Sequence, residues 1–249
     1  MYEVVMGRYR FVLIQLVFLL LTFSSKAQLV LGLEDGVNLN KVKVQLRDQS
    51  SSSIKPQIGY NLGVVLRMPL KRNFSLELIP ALIQKNYRVG RSDSLNGIYV
   101  THTITYCQLP ILLHYTFSFY KHLFAQMGPS IEYEVRSYES GLVPDIFSVT
   151  KSGNANSNTY TLVYYRQCHL LNNHDDNRLD FSWTEGIGLQ YRMLRRYLLS
   201  TTFKYLYSFT NINQRGPLDL KSLQNRSFII TISCMYINKN RTFGNKTHN

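Results

Sequence analysis

Apolar and polar residues alternate along several stretches of this chain, and an alternation with a period of two predicts β-strands. In one stretch, Leu123, Met127 and Ile131 occupy odd positions, while Gln126 and Glu132 occupy even positions. One face of such a strand is apolar and the other carries polar groups. Eight segments follow this pattern and are the predicted strands: residues 29–38, 57–68, 74–87, 103–117, 123–138, 180–192, 198–212 and 227–238.

The connections between the predicted strands alternate between short and long. The short ones are residues 69–73, 118–122 and 194–197, and the long ones are 39–56, 88–102, 139–179 and 213–226. Barrels of bacterial outer membranes have short periplasmic turns and longer external loops. The chain is therefore predicted to be all-β: an antiparallel transmembrane up-and-down β-barrel of about eight strands, with short periplasmic turns and long external loops.

The third long connection, residues 139–179, is longer than a structureless loop in a compact domain usually is. Within it, residues 159–169 contain an apolar and aromatic run from Thr161 to Tyr165, which would extend the neighbouring strands beyond the membrane. A barrel of ten strands that uses this loop is the structural alternative.

The polar faces of the predicted strands favour a membrane barrel over a soluble one. They contain many glycines and charges of both signs, which suits a small interior where side chains must pair. The candidate interior charges are Glu34, Arg67, Glu77, Glu132, Glu134, Arg136, Arg192 and Lys204, with Glu185 as a further member. A soluble sandwich would explain these charges as solvated, but it would not explain the strand glycines. Aromatic girdles at the two membrane interfaces would explain tyrosines near strand ends, namely Tyr60, Tyr87, Tyr115, Tyr133 and Tyr191.

The first segment is typical of a secretory signal peptide. Arg8 and Arg10 precede a nearly unbroken apolar run, and Ala27 ends a small-residue cleavage signal. Cleavage is expected before Gln28, with Met6 as an alternative start. A retained anchor is the rival interpretation, but the run is short for a helix that needs ~20 residues to span a bilayer. The expected division is a signal peptide at 1–27, an outer-membrane β-barrel at 28–238 and a basic C-terminal tail at 239–249.

The formal net charge of +13 narrows the class of partner. Lys and Arg are scattered through turns, loops and the tail rather than clustered in a recognisable module, so nucleic acid is not expected as a partner. Outer-membrane lipids with anionic headgroups are expected instead. The three cysteines, Cys107, Cys168 and Cys234, lack CxxC spacing, so neither a zinc site nor a disulfide framework is predicted. No cofactor is predicted.

The run from Tyr106 to Leu113, Tyr-Cys-Gln-Leu-Pro-Ile-Leu-Leu, resembles a strand of the PorT-type outer-membrane β-barrel proteins of Bacteroidetes. The run Leu-Phe-Ala-Gln-Met-Gly-Pro that begins at Leu123 is similar to their next strand, and so is the closing strand from Asn225 to Ile232. As an outer-membrane barrel, the chain is expected to need the barrel-assembly machinery. The resemblance adds secretion-system components as partners.

Catalytic chemistry has little support in the sequence. His169, His174, Asp175 and Asp176 lie in the longest loop and could form a hydrolytic or metal site at the external rim, but a solvated polar loop is the better interpretation. The motifs of serine hydrolases, zinc proteases and nucleotide-binding loops do not occur. We therefore expect a non-enzymatic outer-membrane barrel with a structural or accessory role in protein secretion or cell-surface interaction. A narrow solute pore and a lipid-acting barrel enzyme are the alternatives.

Overall fold

The structure is a computed structural model in which the described secondary structure consists of β-strands. It describes residues 29–46, 52–91, 97–120, 122–145, 150–151, 158–159, 161–169, 178–194, 196–210 and 220–237. The predicted signal peptide and basic tail lie outside these residues, and so do His174, Asp175 and Asp176. Within the described residues, no helix is long and apolar enough to cross a membrane.

The strands follow one another along the chain as an antiparallel series. They are β1 (Val30–Leu46), β2 (Ser52–Lys71), β3 (Phe74–Leu78), β4 (Ala81–Arg91), β5 (Tyr99–Thr116), β6 (Leu123–Pro144), β7 (Thr150–Lys151), β8 (Asn158–Thr159), β9 (Leu162–His169), β10 (Leu179–Met193), β11 (Tyr197–Ser208) and β12 (Leu220–Ile237).

Nine of these strands close into a ring with eight strand positions, because β3 and β4 share one position. β1 pairs with β2, β2 with both β3 and β4, these two with β5, and the series continues through β6, β10, β11 and β12 back to β1. β3 and β4 are two halves of one predicted strand, interrupted at Ile79 and Pro80 because proline has no N–H to donate to the ladder. The carbonyl of Pro80 still accepts a hydrogen bond from the Val64 amide at 3.0 Å. The prediction of an eight-strand barrel is confirmed.

The pairing register sets the tilt of the strands. A path that starts at Val30 and moves from each residue to its partner on the next strand runs once around the ring. It returns to β1 at Asn40, ten residues nearer the external end of that strand. The intermediate positions are Arg67, Glu77, Leu112, Gly128, Thr184, Leu206 and Ser227. In an eight-strand ring this offset corresponds to a tilt of about 40°, so each residue climbs about 2.5 Å along the barrel axis.

The two ends of the barrel differ as predicted. The turns after β2 and β10 are tight, and Arg72 and Leu194 adopt left-handed backbone conformations there, each with φ of 50°. At the other end, β1, β2, β5, β6 and β12 all extend beyond the predicted bounds. Strand pairing continues there after the apolar alternation has ended, so the sequence pattern underestimated their length.

The third long connection adds strands outside the ring. β9 pairs with the outer part of β6, from Ser137↔His169 to Pro144↔Leu162. β7 and β8 form a separate two-stranded ladder. The expectation that residues 159–169 extend a neighbouring strand therefore agrees with the structure. The ten-strand alternative is wrong for the ring, because these strands do not enter it.

Side chains on the two faces of the ring differ in polarity. The outward face is largely apolar and exposed, and includes Leu31, Leu33, Leu62, Ile131, Ile187, Phe203 and Ile232. The inward face carries most of the buried polar and charged side chains. A soluble barrel would reverse this arrangement, whereas a barrel that faces lipid requires it.

Aromatic side chains cluster near the periplasmic end. The rings of Phe74 and Tyr115 are 4.8 Å apart in a tilted arrangement, Tyr115 contacts Phe117 edge-on, and Tyr197 contacts Tyr236 edge-on. The prediction that Tyr87 belongs to an aromatic girdle is wrong. Tyr87 is buried on the inner side, where its ring stacks on His102 at 4.6 Å, because it shares its strand face with Ile83 and Lys85. The three cysteines are free and exposed.

Candidate functional site: the barrel interior

A first cluster of interior side chains lies toward the periplasmic end. Arg67 on β2 forms an ion pair with Glu77 on β3, and both side chains are buried. Nδ1 of His114 lies 3.1 Å from Oε1 of the same glutamate. Nη1 of Arg67 also donates to Oε1 of Gln190 at 3.1 Å, and Nε2 of Gln190 donates to Oγ1 of Thr116 at 3.2 Å. The cluster therefore joins four strands across the interior.

A second cluster lies near the middle of the barrel. Nζ of Lys204 on β11 donates to both carboxylate oxygens of Glu34 on β1, at 2.6 and 2.7 Å. Asn61 donates to Glu34 at 3.2 Å, and Gln108 donates to Asn61 at 3.2 Å. Glu34 thus accepts hydrogen bonds from two sides, which offsets the cost of removing a charged pair from water.

A third cluster lies toward the external end and is the most deeply buried. Lys85 on β4 forms an ion pair with Glu132 on β6, and both side chains are 0% exposed. Nζ of Lys85 is also 3.8 Å from Oδ2 of Asp180 on β10 and lies over the ring of Tyr106. The remaining oxygens accept from serines: Ser182 donates to Glu132 at 3.0 Å, and Ser208 donates to Asp180.

Apolar side chains fill the space between these clusters. Ile83, Tyr106, Leu206 and Ile229 belong to one buried group, and Val65, Ile79, Leu112 and Met235 belong to another. A cavity of about 430 Å³ opens at the periplasmic mouth and is lined in part by Arg67, Arg72 and Asn73. The described interior is therefore filled by side chains, as expected for eight strands.

One strand glycine is required by this close packing. A Cβ atom added to Gly128 on β6 would lie only 2.0 Å from the carbonyl oxygen of Ile111 on the neighbouring strand. No rotamer change can relieve a contact between Cβ and backbone, so this position excludes any larger residue.

Six of the eight predicted interior charges lie buried inside the barrel. They are Glu34, Arg67, Glu77, Glu132, Glu134 and Lys204. Arg192 is a correction: it is exposed at the periplasmic end of β10, beyond the filled part of the interior.

Arg136 is a second correction, and a β-bulge is the reason. On β5, Tyr106 and Thr105 are consecutive, but they pair with Glu134 and Arg136 on β6. Val135 is therefore an extra residue, and the bulge rotates the rest of β6 by one position. Glu134 faces inward, whereas Arg136 is exposed on the outer face.

Glu185, which the sequence analysis grouped with the interior charges, faces outward. It shares the strand face of Trp183 and Ile187, and Nε1 of Trp183 donates to its Oε1 at 3.1 Å. Asp35 on β1, which was not among the predicted charges, also faces outward and is exposed. From the register, both carboxylates lie about 13 Å above Val30 along the axis, near mid-height of the apolar belt.

Three further interior side chains were not among the predicted charges, although the sequence carries a signal for them. Lys85, Asp180 and His114 each lie on the polar face of their strand by simple alternation. Lys85 is eight residues from Glu77, and Asp180 is six residues from Gly186. Residues an even number of positions apart on a strand share a face. Among the described residues, no group of three or more His, Cys, Asp or Glu side chains could hold a metal ion.

The match to a known protein family agrees with this geometry. Residues 23–214 match the family described as outer membrane protein beta-barrel domain. No curated protein matches the chain. Similar solved structures include Ail of Yersinia pestis, in complex with the heparin analogue sucrose octasulfate, with 11% identity and a TM-score of 0.37 over 84% of this chain and 99% of that one.

Two further solved structures are similar. The outer membrane protein OprG of Pseudomonas aeruginosa has 11% identity and a TM-score of 0.41, over 85% of this chain and 96% of that one. AlkL, solved in lipid bilayers, has 12% identity and a TM-score of 0.39, over 85% and 92%. These similarities are distant, and the assignment rests on the family match, which covers most of the chain. The chain belongs to the outer-membrane protein β-barrel domain family, and its location is the cell outer membrane.

Proposed function

We propose that this protein is a closed outer-membrane barrel with a structural or accessory role, which holds a folded external sheet at the cell surface for interaction with partners. The filled interior is the observation that carries the proposal. Passage of a solute would require parting of the Lys85–Glu132 pair, the Lys204–Glu34 pair and the Arg67–Gln190 hydrogen bond, which lie at three different heights. Separation of a buried ion pair leaves a charge without a partner and is strongly unfavourable.

The external sheet supplies the surface for interaction. β5 and β6 continue past the apolar belt, and β9 adds a further strand to the outer part of β6. Within the described part of the chain, β9 pairs on one side only. Its residues Val163 and Tyr164 are 43% and 61% exposed. A strand edge with exposed aromatic and aliphatic side chains is suited to contact with another protein.

The resemblance to PorT-type proteins of Bacteroidetes points to secretion-system components as the partners, and a cell-surface ligand is the other option within the same role. Insertion by the barrel-assembly machinery and contact with outer-membrane lipids belong to the proposal as well. The proposal includes no catalytic step. The histidine and aspartates of the longest loop, His174, Asp175 and Asp176, lie outside the described residues.

Planar-bilayer recording tests the closed barrel. The purified, refolded chain is expected to show no stepwise current at moderate voltage. The matched variant Lys85→Ala/Glu132→Ala removes the pairing of Lys85 with Glu132 and Asp180 but keeps the Lys204–Glu34 and Arg67–Glu77 pairs, and it is also expected to stay silent. Regular single-channel steps from the unmodified chain would overturn the closed barrel in favour of the narrow pore.

A secretion assay tests the accessory role. A deletion strain is complemented with the full chain, or with a variant in which a short Gly-Asn linker replaces residues 146–177, which include β9. The secreted and surface proteomes are then compared by mass spectrometry. We expect the full chain, but not the variant, to restore missing proteins. A variant with the same linker in place of residues 92–96 is the control, and a heat-modifiability gel checks that each barrel folds. Full restoration by the 146–177 variant would contradict the role of the external sheet.

A further inference from the structure

Basic residues form a row on the outer face of the external sheet. In the pairing register, Lys55 on β2 lies opposite Arg88 on β4, Arg88 opposite Thr101 on β5, Thr101 opposite Ser140 on β6, and Ser140 opposite Arg166 on β9. Directly paired residues on adjacent strands share a face. The row therefore combines three cations with two hydroxyl groups along one line across five strands.

The arginines of this face are held by aromatic rings. Arg166 lies over the ring of Tyr138 at 4.8 Å, and Arg136 lies near the same ring at 5.6 Å. Arg88 lies over Tyr99 at 4.4 Å. Stacking leaves the N–H groups of a guanidinium able to donate in the guanidinium plane, and its preorganised fork matches the oxygens of a phosphate. In Arg88, Nε already donates to Oγ1 of Thr101 at 3.1 Å, so the two terminal nitrogens are the donors that remain for a ligand.

Nearby carboxylates point the other way. Glu134 is buried in the interior, and Glu139 approaches His102 on the inner face, with Oε1 3.1 Å from Nδ1. Among the described residues of β2, β4, β5, β6 and β9, the outer face above the apolar belt carries basic residues and no carboxylate. This face is therefore electropositive, and its natural ligand is an anion.

The position of the face relative to the membrane identifies the source of that anion. At about 2.5 Å per ladder step, Arg136 lies about 5 Å above Tyr133, because Val135 is an extra residue and only two steps separate them. Arg88 lies about 15 Å above Leu82 by the same measure, and both Tyr133 and Leu82 belong to the outward belt. The headgroup layer begins at the edge of the hydrocarbon and is ~5–8 Å thick for an ordinary lipid. Each paired step from β2 toward β9 rises about 3 Å along the axis, so Lys55 lies below Arg88 and Arg166 lies above it. Phosphates carried on a sugar headgroup extend beyond an ordinary headgroup, toward the level of these cations.

We infer that this face, formed by Lys55, Arg88, Arg136 and Arg166 with Thr101 and Ser140, binds the phosphates of an anionic glycolipid in the outer leaflet around the barrel. The guanidinium groups donate to phosphate oxygens, and the hydroxyl groups donate to phosphate or sugar oxygens. This site specifies the outer-membrane lipid contact of the proposed function and rests on it, but it does not depend on the protein partner proposed for the sheet, since it uses the face rather than the edge of β9.

Native mass spectrometry tests the inference. The full chain is refolded into phosphatidylcholine nanodiscs that contain either bisphosphoryl lipid A or the dephosphorylated lipid with the same acyl chains, and the retained lipid is counted after release into detergent. The unmodified protein is expected to retain the phosphorylated lipid about tenfold better. Equal retention of the two lipids would overturn the inference, whatever any variant does.

Two matched variants locate the site. Arg88→Gln/Arg136→Gln/Arg166→Gln removes three charges from the face, and Lys71→Gln/Arg192→Gln/Arg196→Gln removes three exposed charges from the periplasmic end. The first is expected to lose the preference for the phosphorylated lipid and the second to keep it. An equal loss in both variants would show attraction by net charge alone and refute a defined site. The bilayer recording does not depend on this assay, so a failure here leaves the closed barrel unaffected.

Discussion

Removal of Lys85 is expected to be among the most destabilising single changes in this barrel. The ammonium group is fully buried and is the cation shared by Glu132 and Asp180. Lys85→Met keeps much of the side-chain volume but leaves two carboxylates with hydrogen bonds from Ser182 and Ser208. Removal of one partner from a buried ion pair costs about 3–5 kcal/mol.

Removal of the charge on the other partner, Glu132, is expected to destabilise the barrel less. In Glu132→Gln, Lys85 keeps Asp180 at 3.8 Å and the face of Tyr106 at 4.9 Å. The amide still accepts a hydrogen bond from Ser182. We expect a loss of about 1–3 kcal/mol, as for one broken charged hydrogen bond. The double variant Lys85→Met/Glu132→Gln should then cost less than the sum of the two single changes, because the second change removes one of the unpaired carboxylates.

Urea unfolding in lipid vesicles measures these differences. Trp183 is the single tryptophan of the chain and lies on the outward face, so its fluorescence reports insertion. The folded and unfolded fractions are also separated on unboiled gels. A cost below about 1 kcal/mol for Lys85→Met, or strict additivity in the double variant, would refute the argument that Lys85 neutralises a buried acidic pair.

Two further predictions concern the outward face and the packed interior. Asp35→Leu and Glu185→Leu are each expected to stabilise the barrel in vesicles by about 1–2 kcal/mol, because a carboxylate at mid-height loses its water to lipid; a loss of stability in both variants would contradict their placement. Gly128→Ala is expected to cost at least about 2 kcal/mol by urea unfolding, because its Cβ would lie 2.0 Å from a backbone oxygen. Gly90→Ala, where the nearest atoms are 3.7 Å away, is the control and should change stability little; equal effects would refute the packing argument.

Strand number and orientation were predictable from the sequence, because they depend on a local signal. Inside the membrane, each strand has one face against lipid, so Leu, Ile and Phe recur at every second position. The length of the strands was not predictable. Beyond the membrane, water replaces lipid and the alternation ends, although β1 continues to Leu46 and β6 to Pro144.

The interior charges were predictable as a class but not as pairs. Parity places Glu132 and Lys85 on the inner face of their own strands, and six of the eight predicted charges are indeed buried. Which charges meet depends on the offset of ten residues around the ring, which no single strand encodes. Glu34, for example, meets Lys204 across the interior, 170 positions away in the chain.

Two bulges decide which charged side chains lie in the barrel interior and which lie on the basic outer face of the external sheet. On β6, Val135 is the extra residue, and Arg136 would otherwise face inward with Glu132 and Glu134. On β2, four steps from Gln57 to Asn61 match three on β4, from Asn86 to Ile83.

The extra residue on β2 has the same effect as the one on β6. It rotates Lys55 outward, while Ile54 packs against the interior apolar cluster. Without the two bulges, both cations would lie on the inner side, where the acids below them already have partners. One insertion in each strand therefore keeps the interior charges paired and places the surplus cations above the membrane edge, where an anionic headgroup can reach them.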